Sequence, residues 1–182
     1  MKKIFRSVHS MNIKKSVLLS FLFWFCTTSQ AFVLWGGLEH GDSIQKFQDK
    51  YPNAMKPAGR DYWVDEQNPV VIAGMSFIPY FIFDKQGQLQ SIELSTNTRK
   101  TTYGDYILIA NLLEKKYGKS LSERIDGEPS NDDVHSFTEK IWVLDSLQVR
   151  VTRNVVTFMS KVIAKDISVQ YRKSDLKDAS KL

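Results

Sequence analysis

The chain has 182 residues, 25 basic and 20 acidic, and a formal net charge of +5. The excess is local: Lys2, Lys3, Arg6, Lys14 and Lys15 all precede residue 32 and no acid accompanies them, so the remainder carries 20 residues of each sign and no net charge. A nucleic-acid binder needs a retained basic surface to neutralise phosphates, and that class is excluded.

The first 31 residues read as a bacterial secretory signal peptide. Lys14 and Lys15 lead into an apolar run, Val17 to Cys26, and Ser29 and Ala31 occupy the small-residue positions before a cleavage site. Cleavage is expected after Ala31, with Phe32 as the mature N-terminus. Met11 begins a complete charged region by itself and is an alternative start. The apolar run falls short of the ~20 residues that cross a bilayer, so no stable membrane span is expected after cleavage. Trp24 and Phe25 stand before Cys26 where lipid attachment wants small residues, which argues against lipidation. The expected location is the periplasm, or outside the cell. Cys26 is the chain's one cysteine and leaves with the signal, so the mature protein depends on its core, for which ~150 residues suffice.

Residues 32–172 are expected to form a single α+β domain, with 173–182 a polar tail. Asp42 with Gln45 three residues on reads as an N-cap with its box partner. Ile44, Phe47 and Tyr51 share the following helix's apolar face, and Pro52 stops it. A strand is expected at 61–65 and a loop at 66–74, punctuated by Pro69 and Gly74. Ser76–Asp84 is apolar on both faces, as in a strand covered on both sides, although Pro79 points to an edge or a bulge. Asp84-Lys85-Gln86-Gly87 turns the chain into Leu89–Thr96.

A second helix is predicted over Tyr103–Tyr117, capped by Thr102 and ended by Gly118. Tyr106, Ala110, Leu113 and Tyr117, with Ile107 beside them, form its core stripe. Lys119–Ser136 reads as a long acidic connection. Strands follow at Thr138–Leu144 and Leu147–Arg153 around an Asp145-Ser146 turn, and at Ile167–Arg172, with Asn154–Lys165 also extended. Leu147, Val149 and Val151 alternate with Gln148, Arg150 and Thr152, one face dry and one wet. The sum is a two-layer α+β fold, short helices on an antiparallel sheet. Phe47-x-x-x-Tyr51 echoes Leu113-x-x-x-Tyr117, and Trp63-Val64 echoes Trp142-Val143. The echoes suit a duplicated helix-plus-three-strand unit, and equally suit chance.

Gly41-Asp42-Ser43 entering a short helix, then Phe83-Asp84-x-x-Gly87-x-Leu89 closing a hairpin, resembles small envelope domains of the SmpA/OmlA type and the related β-lactamase-inhibitor-protein fold. Trp35-Gly36 and the Leu-x-x-Lys-Tyr-Gly at 113–118 add to the resemblance, which covers most of residues 32–118. It implies a two-layer α+β fold and an interaction role, and carries over no active site. The departures are the missing lipid-attachment motif, Pro52 in place of the usual Gly-Pro, and an additional C-terminal half.

Little chemistry is advertised. His40 and His135 sit in no metal-ligand spacing, Gly74-Met75-Ser76 lacks the second glycine of a nucleophile elbow, and no phosphate-cradling loop appears. Asp126, Glu128 and Ser130 alternate like the first ligands of a calcium loop, but Asn131 and Phe137 replace its glycine and its bidentate glutamate. No catalytic, cofactor or metal site is therefore expected. What remains is binding. The candidate interaction loop is Asp126, Glu128, Asp132, Asp133 and His135. Trp35 and Trp63 are candidate surface aromatics, and Tyr62, Tyr80 and Trp142 are further anchors. The expected role is a non-enzymatic interaction or adaptor protein whose partner is another envelope protein. The alternatives are a secreted inhibitor or immunity protein filling an enzyme cleft, and a small-ligand carrier or enzyme.

Overall fold

The computed structural model describes residues 33–96, 100–126, 133–158 and 161–174. A short hairpin, β1 (Val33–Trp35) and β2 (Leu38–Glu39), leads into helix α1 (Ile44–Lys50). Strands β3 (Tyr62–Val64), β4 (Val70–Ile72), β5 (Met75–Phe83) and β6 (Leu89–Ser95) follow. Helix α2 (Tyr103–Tyr117) precedes β7 (Ser122–Asp126), β8 (Asp133–Leu144), β9 (Leu147–Phe158) and β10 (Lys161–Lys173). The main sheet runs β3-β5-β6-β10-β9-β8-β7, with β4 paired to β5, and every neighbouring pair is antiparallel. The α+β class and the antiparallel sheet stand as expected, though strands far outweigh helices. Among the described residues no helix is long and apolar enough to cross a membrane; residues 1–31, the predicted signal peptide, lie outside them.

Helix α1 has seven residues, too few for stability from propensity alone. Phe47 holds it: fully buried, its ring lies 4.6–5.6 Å from those of Tyr51, Trp63, Phe81 and Phe83. The cap falls one residue later than expected. Ser43 Oγ accepts from Lys46 N at 3.3 Å, while the buried Asp42 carboxylate accepts from Glu39 N and Lys46 Nζ, both at 2.8 Å, and so ties down the preceding turn. The helix ends at Tyr51, whose φ of −123° and ψ of 66° leave the helical region, as the residue before a proline must.

Four other expectations need correction. The loop at 66–74 contains β4, joined to β5 by Ala73 (φ 51°) and Gly74 (φ 80°). Two successive left-handed residues make the tight hairpin turn, so Gly74 marks a reversal rather than a loop. Strand β5 is not covered on both sides: Phe77, Pro79 and Phe81 are buried, whereas Ile78, Tyr80 and Ile82 are only half-buried on the opposite face. Pro79 sits at neither an edge nor a bulge. It falls between the stretches of β5 that pair with β4 (75–77) and β3 (80–82), where no partner needs its missing N–H. Lastly, the connection 119–136 is largely strand, because β7 occupies Ser122–Asp126 and β8 begins at Asp133. Glu123 and Arg124 are exposed on β7, and charge is what suits an edge strand.

Helix α2 keeps its expected bounds. Thr102 and Asp105 cap each other's backbone N–H, and Gly118 (φ 83°) donates to Glu114 O. Tyr106, Ala110 and Leu113 are buried as expected, Ile109 joins them, and Ile107 and Tyr117 are half-buried. The core lies between helices and sheet: Phe47, Tyr106, Ile109 and Leu113 from the helices and Leu34 and Leu38 from the hairpin belong to one cluster with Phe81, Ile92, Leu94, Trp142, Val149, Val151 and Val169. Each fully buried aliphatic or aromatic side chain stabilises the fold by roughly 1.5–3 kcal/mol.

Candidate functional site

Directly opposed residues of antiparallel strands share a face, so the register sorts the sheet's side chains. One row crosses six strands as Trp63, Phe81, Ile92, Tyr171, Val149 and Trp142. This is the covered face. Phe47 of α1 packs on Trp63 and Phe81, Glu114 of α2 pairs with Lys140 at 3.0 Å, and Trp142 Nε1 donates to Gly118 O at 2.9 Å.

The neighbouring rows face the other way. One reads Val64, Tyr80, Glu93, Gln170, Arg150 and Ile141; the next reads Tyr62, Ile82, Ser91, Arg172, Gln148 and Val143. A third adds Ser95, Ser168, Thr152 and Glu139. Among the described residues, the contacts of α1, α2 and the β1–β2 hairpin named above go to the covered face and leave this second, open face without a helix over it, although Val64, Ser91, Ile141, Gln148 and Ser168 on it are buried among their neighbours.

The open face is knitted by side chains. Arg172 Nε donates to Gln148 Oε1, and Asn154 Nδ2 donates to Asp166 Oδ2 at 2.9 Å. Arg150 Nε lies 3.1 Å from Glu139 Oε2 with its N–H poorly aimed, an ion pair without a good hydrogen bond. Arg124 covers the Phe137 ring at 5.1 Å from its centre. At one end Tyr62, Tyr80, Ile82, Glu93 and Ser95 line a pocket of about 240 Å³. Tyr62 and Tyr80 meet edge to face with centres 5.3 Å apart. Burial first, and Asp166 second, push the Glu93 carboxyl above its ordinary range against the opposing hydrogen bond with Ser168. Tyr80 is likewise raised, by burial and then by Tyr62, Glu66 and Glu93.

Two other clefts flank the sheet. Trp63, Ile44 and Phe83 line one of about 680 Å³ together with Lys56, Asp61, Asp84 and Lys85. His40, Gln90, Gln170, Arg172 and Lys173 border another of about 470 Å³, in which His40 Nε2 lies 3.3 Å from Gln90 Oε1. Among the described residues no three metal-ligating side chains converge.

The expected site residues are dispersed. Asp126 ends β7, Asp133 and His135 open β8, and Glu128 and Asp132 lie outside the described residues. Trp35 and Trp63 are half-buried against the core, and Trp142 lies within it, only 1% exposed. Tyr62 and Tyr80 do come together. Sequence reasoning missed Glu93, Gln170 and Arg172 as members of one face, although the wet alternation of Gln148, Arg150 and Thr152 marked three of their neighbours. Comparison of the chain with protein-family models, with curated proteins and with solved structures returns no match.

Proposed function

We propose that the chain is exported, loses residues 1–31, and works in the periplasm or beyond as a non-enzymatic interaction or adaptor protein. Its open sheet face meets another envelope protein. One observation carries this reading: the sheet packs its helix-covered face into the core and carries on the other the half-buried polar side chains of Tyr62, Tyr80, Glu93, Arg150, Gln170 and Arg172. Tyrosine and arginine are the residues that protein interfaces enrich, and a sheet presents them rigidly.

The finer architecture belongs to the same proposal. Two layers are built from two helix-plus-meander units, α1 with β3, β5 and β6, and α2 with β8, β9 and β10. The last strands, β6 and β10, pair antiparallel, with Ile92 opposite Tyr171. Counting outward from that pair along one row, Phe81 answers Val149 and Trp63 answers Trp142. The Trp-Val echo therefore falls on equivalent positions about a local twofold axis, which supports duplication over chance. It also accords with the resemblance to SmpA/OmlA-type and β-lactamase-inhibitor-like domains.

Photo-crosslinkers placed singly at Thr152 and Gln170 on the open face, and at Asn111 and Lys115 on the outer face of α2, test the reading in living cells. Adducts to one discrete envelope protein are expected from the first pair and not the second. If that partner is an enzyme whose activity the purified protein abolishes, the inhibitor reading replaces the adaptor. Adducts from α2 alone refute the open face as the contact surface. N-terminal sequencing of exported material tests cleavage before Phe32, and an intact Met1 or Met11 on a membrane-bound product refutes it.

A further inference from the structure

We infer that the pocket of Tyr62, Tyr80, Ile82, Glu93 and Ser95 is a socket for one basic side chain, an arginine or a lysine, presented by the partner protein. The inference rests on the open face being the contact surface, and it assigns that contact its anchor.

The pocket's size is the first argument. At about 240 Å³ it lies below the ~300–1,000 Å³ of pockets that enclose drug-sized ligands. It suits a single side chain better than a cofactor. The second is its walls. The Tyr62 and Tyr80 rings stand edge to face, with Ile82 beside them, and aromatic faces attract guanidinium and ammonium groups.

Charge is the third argument. The Glu93 carboxylate lines this partly apolar pocket, and among the described residues no basic group lies within ion-pair distance of it. The basic residues of the adjoining rows are engaged elsewhere, Arg150 by Glu139 and Arg172 by Gln148. The other charges acting at the pocket are acidic, Asp166 on Glu93 and Glu66 on Tyr80. Burial already resists ionisation of Glu93. An arriving cation relieves that cost, and a neutral or acidic group does not. The pocket therefore selects by charge.

Nuclear magnetic resonance of the isotopically labelled, exported protein tests this without knowledge of the partner. N-acetyl-arginine amide is titrated at neutral pH against N-acetyl-citrulline amide, which keeps the shape and lacks the charge. Saturable shifts at Tyr62, Tyr80 and Ser95 are expected with the arginine probe, and binding at least tenfold weaker with citrulline. Glu93→Gln should weaken the arginine probe to the citrulline level, and Tyr80→Leu should weaken it several-fold. Unchanged spectral dispersion in each variant establishes that it is folded. No saturable shift, or equal shifts with both probes, overturns the socket while leaving the crosslinking result for the open face untouched. Probe binding at these residues without any open-face crosslink overturns the partner protein as the source of the cation, and assigns the pocket to a free organic cation instead.

Discussion

At the scale of single residues, stability and function pull apart at Glu93. Its carboxyl titrates above the ordinary range because burial disfavours the charged form and Asp166 adds repulsion. The folded chain therefore holds that proton more tightly than the unfolded chain does. The stabilisation from this linkage is fully present below the unfolded pKa of ~4.3 and is lost as pH rises through the raised folded value. Glu93→Gln should accordingly raise the urea midpoint at pH 7 and confer no advantage below pH ~4. A lower midpoint at pH 7 would mean that the carboxylate has a cationic partner within the fold. Tyr106 poses the complementary case. Its ring is fully buried, its hydroxyl has no hydrogen-bond partner among the described residues, and burial, with Glu123 next, raises its pKa so that it stays neutral. An unmet buried hydroxyl costs about 1–3 kcal/mol. Tyr106→Phe should leave the melting temperature unchanged or raise it, and a clear fall would show that the hydroxyl is satisfied.

At the scale of elements, the division between legible and hidden follows the division between buried and edge. Helix α2 is readable because its cap, its stripe and its terminating Gly118 all agree, and β9 is readable because Val149 and Val151 alternate with polar neighbours. Strand β7 escapes notice because an edge strand carries no apolar stripe. Its Glu123 and Arg124 look like loop residues until the register sets them opposite Lys140 and Glu139. Strand β4 escapes because it is short and its turn uses Ala73, which nothing in its side chain marks as left-handed. The open face was half legible. Alternation along one strand shows which residues are wet, but only pairing shows which wet residues stand together. The α1 cap is a sharper instance, since the box motif of Asp42 with Gln45 points to Asp42, whereas the backbone donor is met by Ser43, which has Lys46 and no box partner three residues on. The geometry predicts unequal consequences. Ser43→Ala removes one exposed backbone cap and should cost toward the lower end of the ~0.5–2 kcal/mol range for such caps. Asp42→Ala removes a buried carboxylate that accepts from Glu39 N and Lys46 Nζ; the bond from the backbone N–H to the charged carboxylate is worth ~1.5–3 kcal/mol, while the exposed Lys46 ammonium adds little. Denaturant unfolding of both variants should rank Asp42→Ala as the worse. The reverse order would restore Asp42 to the cap and Ser43 to the turn.

At the scale of the whole molecule, the question is whether the two proposed helix-plus-meander halves behave as two bodies or one. The seam between them is long: Ser91–Ser95 of β6 pairs residue by residue with Ser168–Arg172 of β10. It is extended by Thr96 N donating to Ile167 O and by Ile167 N donating to Thr96 Oγ1, both at 3.0 Å. Leu94 and Val169, opposed across the seam, are both buried in the same core cluster. Neither half can separate without exposing that cluster, so unfolding should be a single cooperative event. Nature has placed a reporter in each half, because Trp63 and Trp142 end the same row three strands from the seam on either side. With Trp24 and Trp35 both replaced by phenylalanine, variants retaining Trp63 or Trp142 alone should be compared by fluorescence in urea, each against circular dichroism of the same variant. In each, the two probes should give one midpoint. Leu94→Ala, which opens a cavity at the seam, should destabilise both reporters equally, by ~2–5 kcal/mol. If the Trp63 signal shifts while the Trp142 signal stays, the halves are independent bodies, and the continuity of the open face across the seam would then be an accident of pairing rather than a built surface.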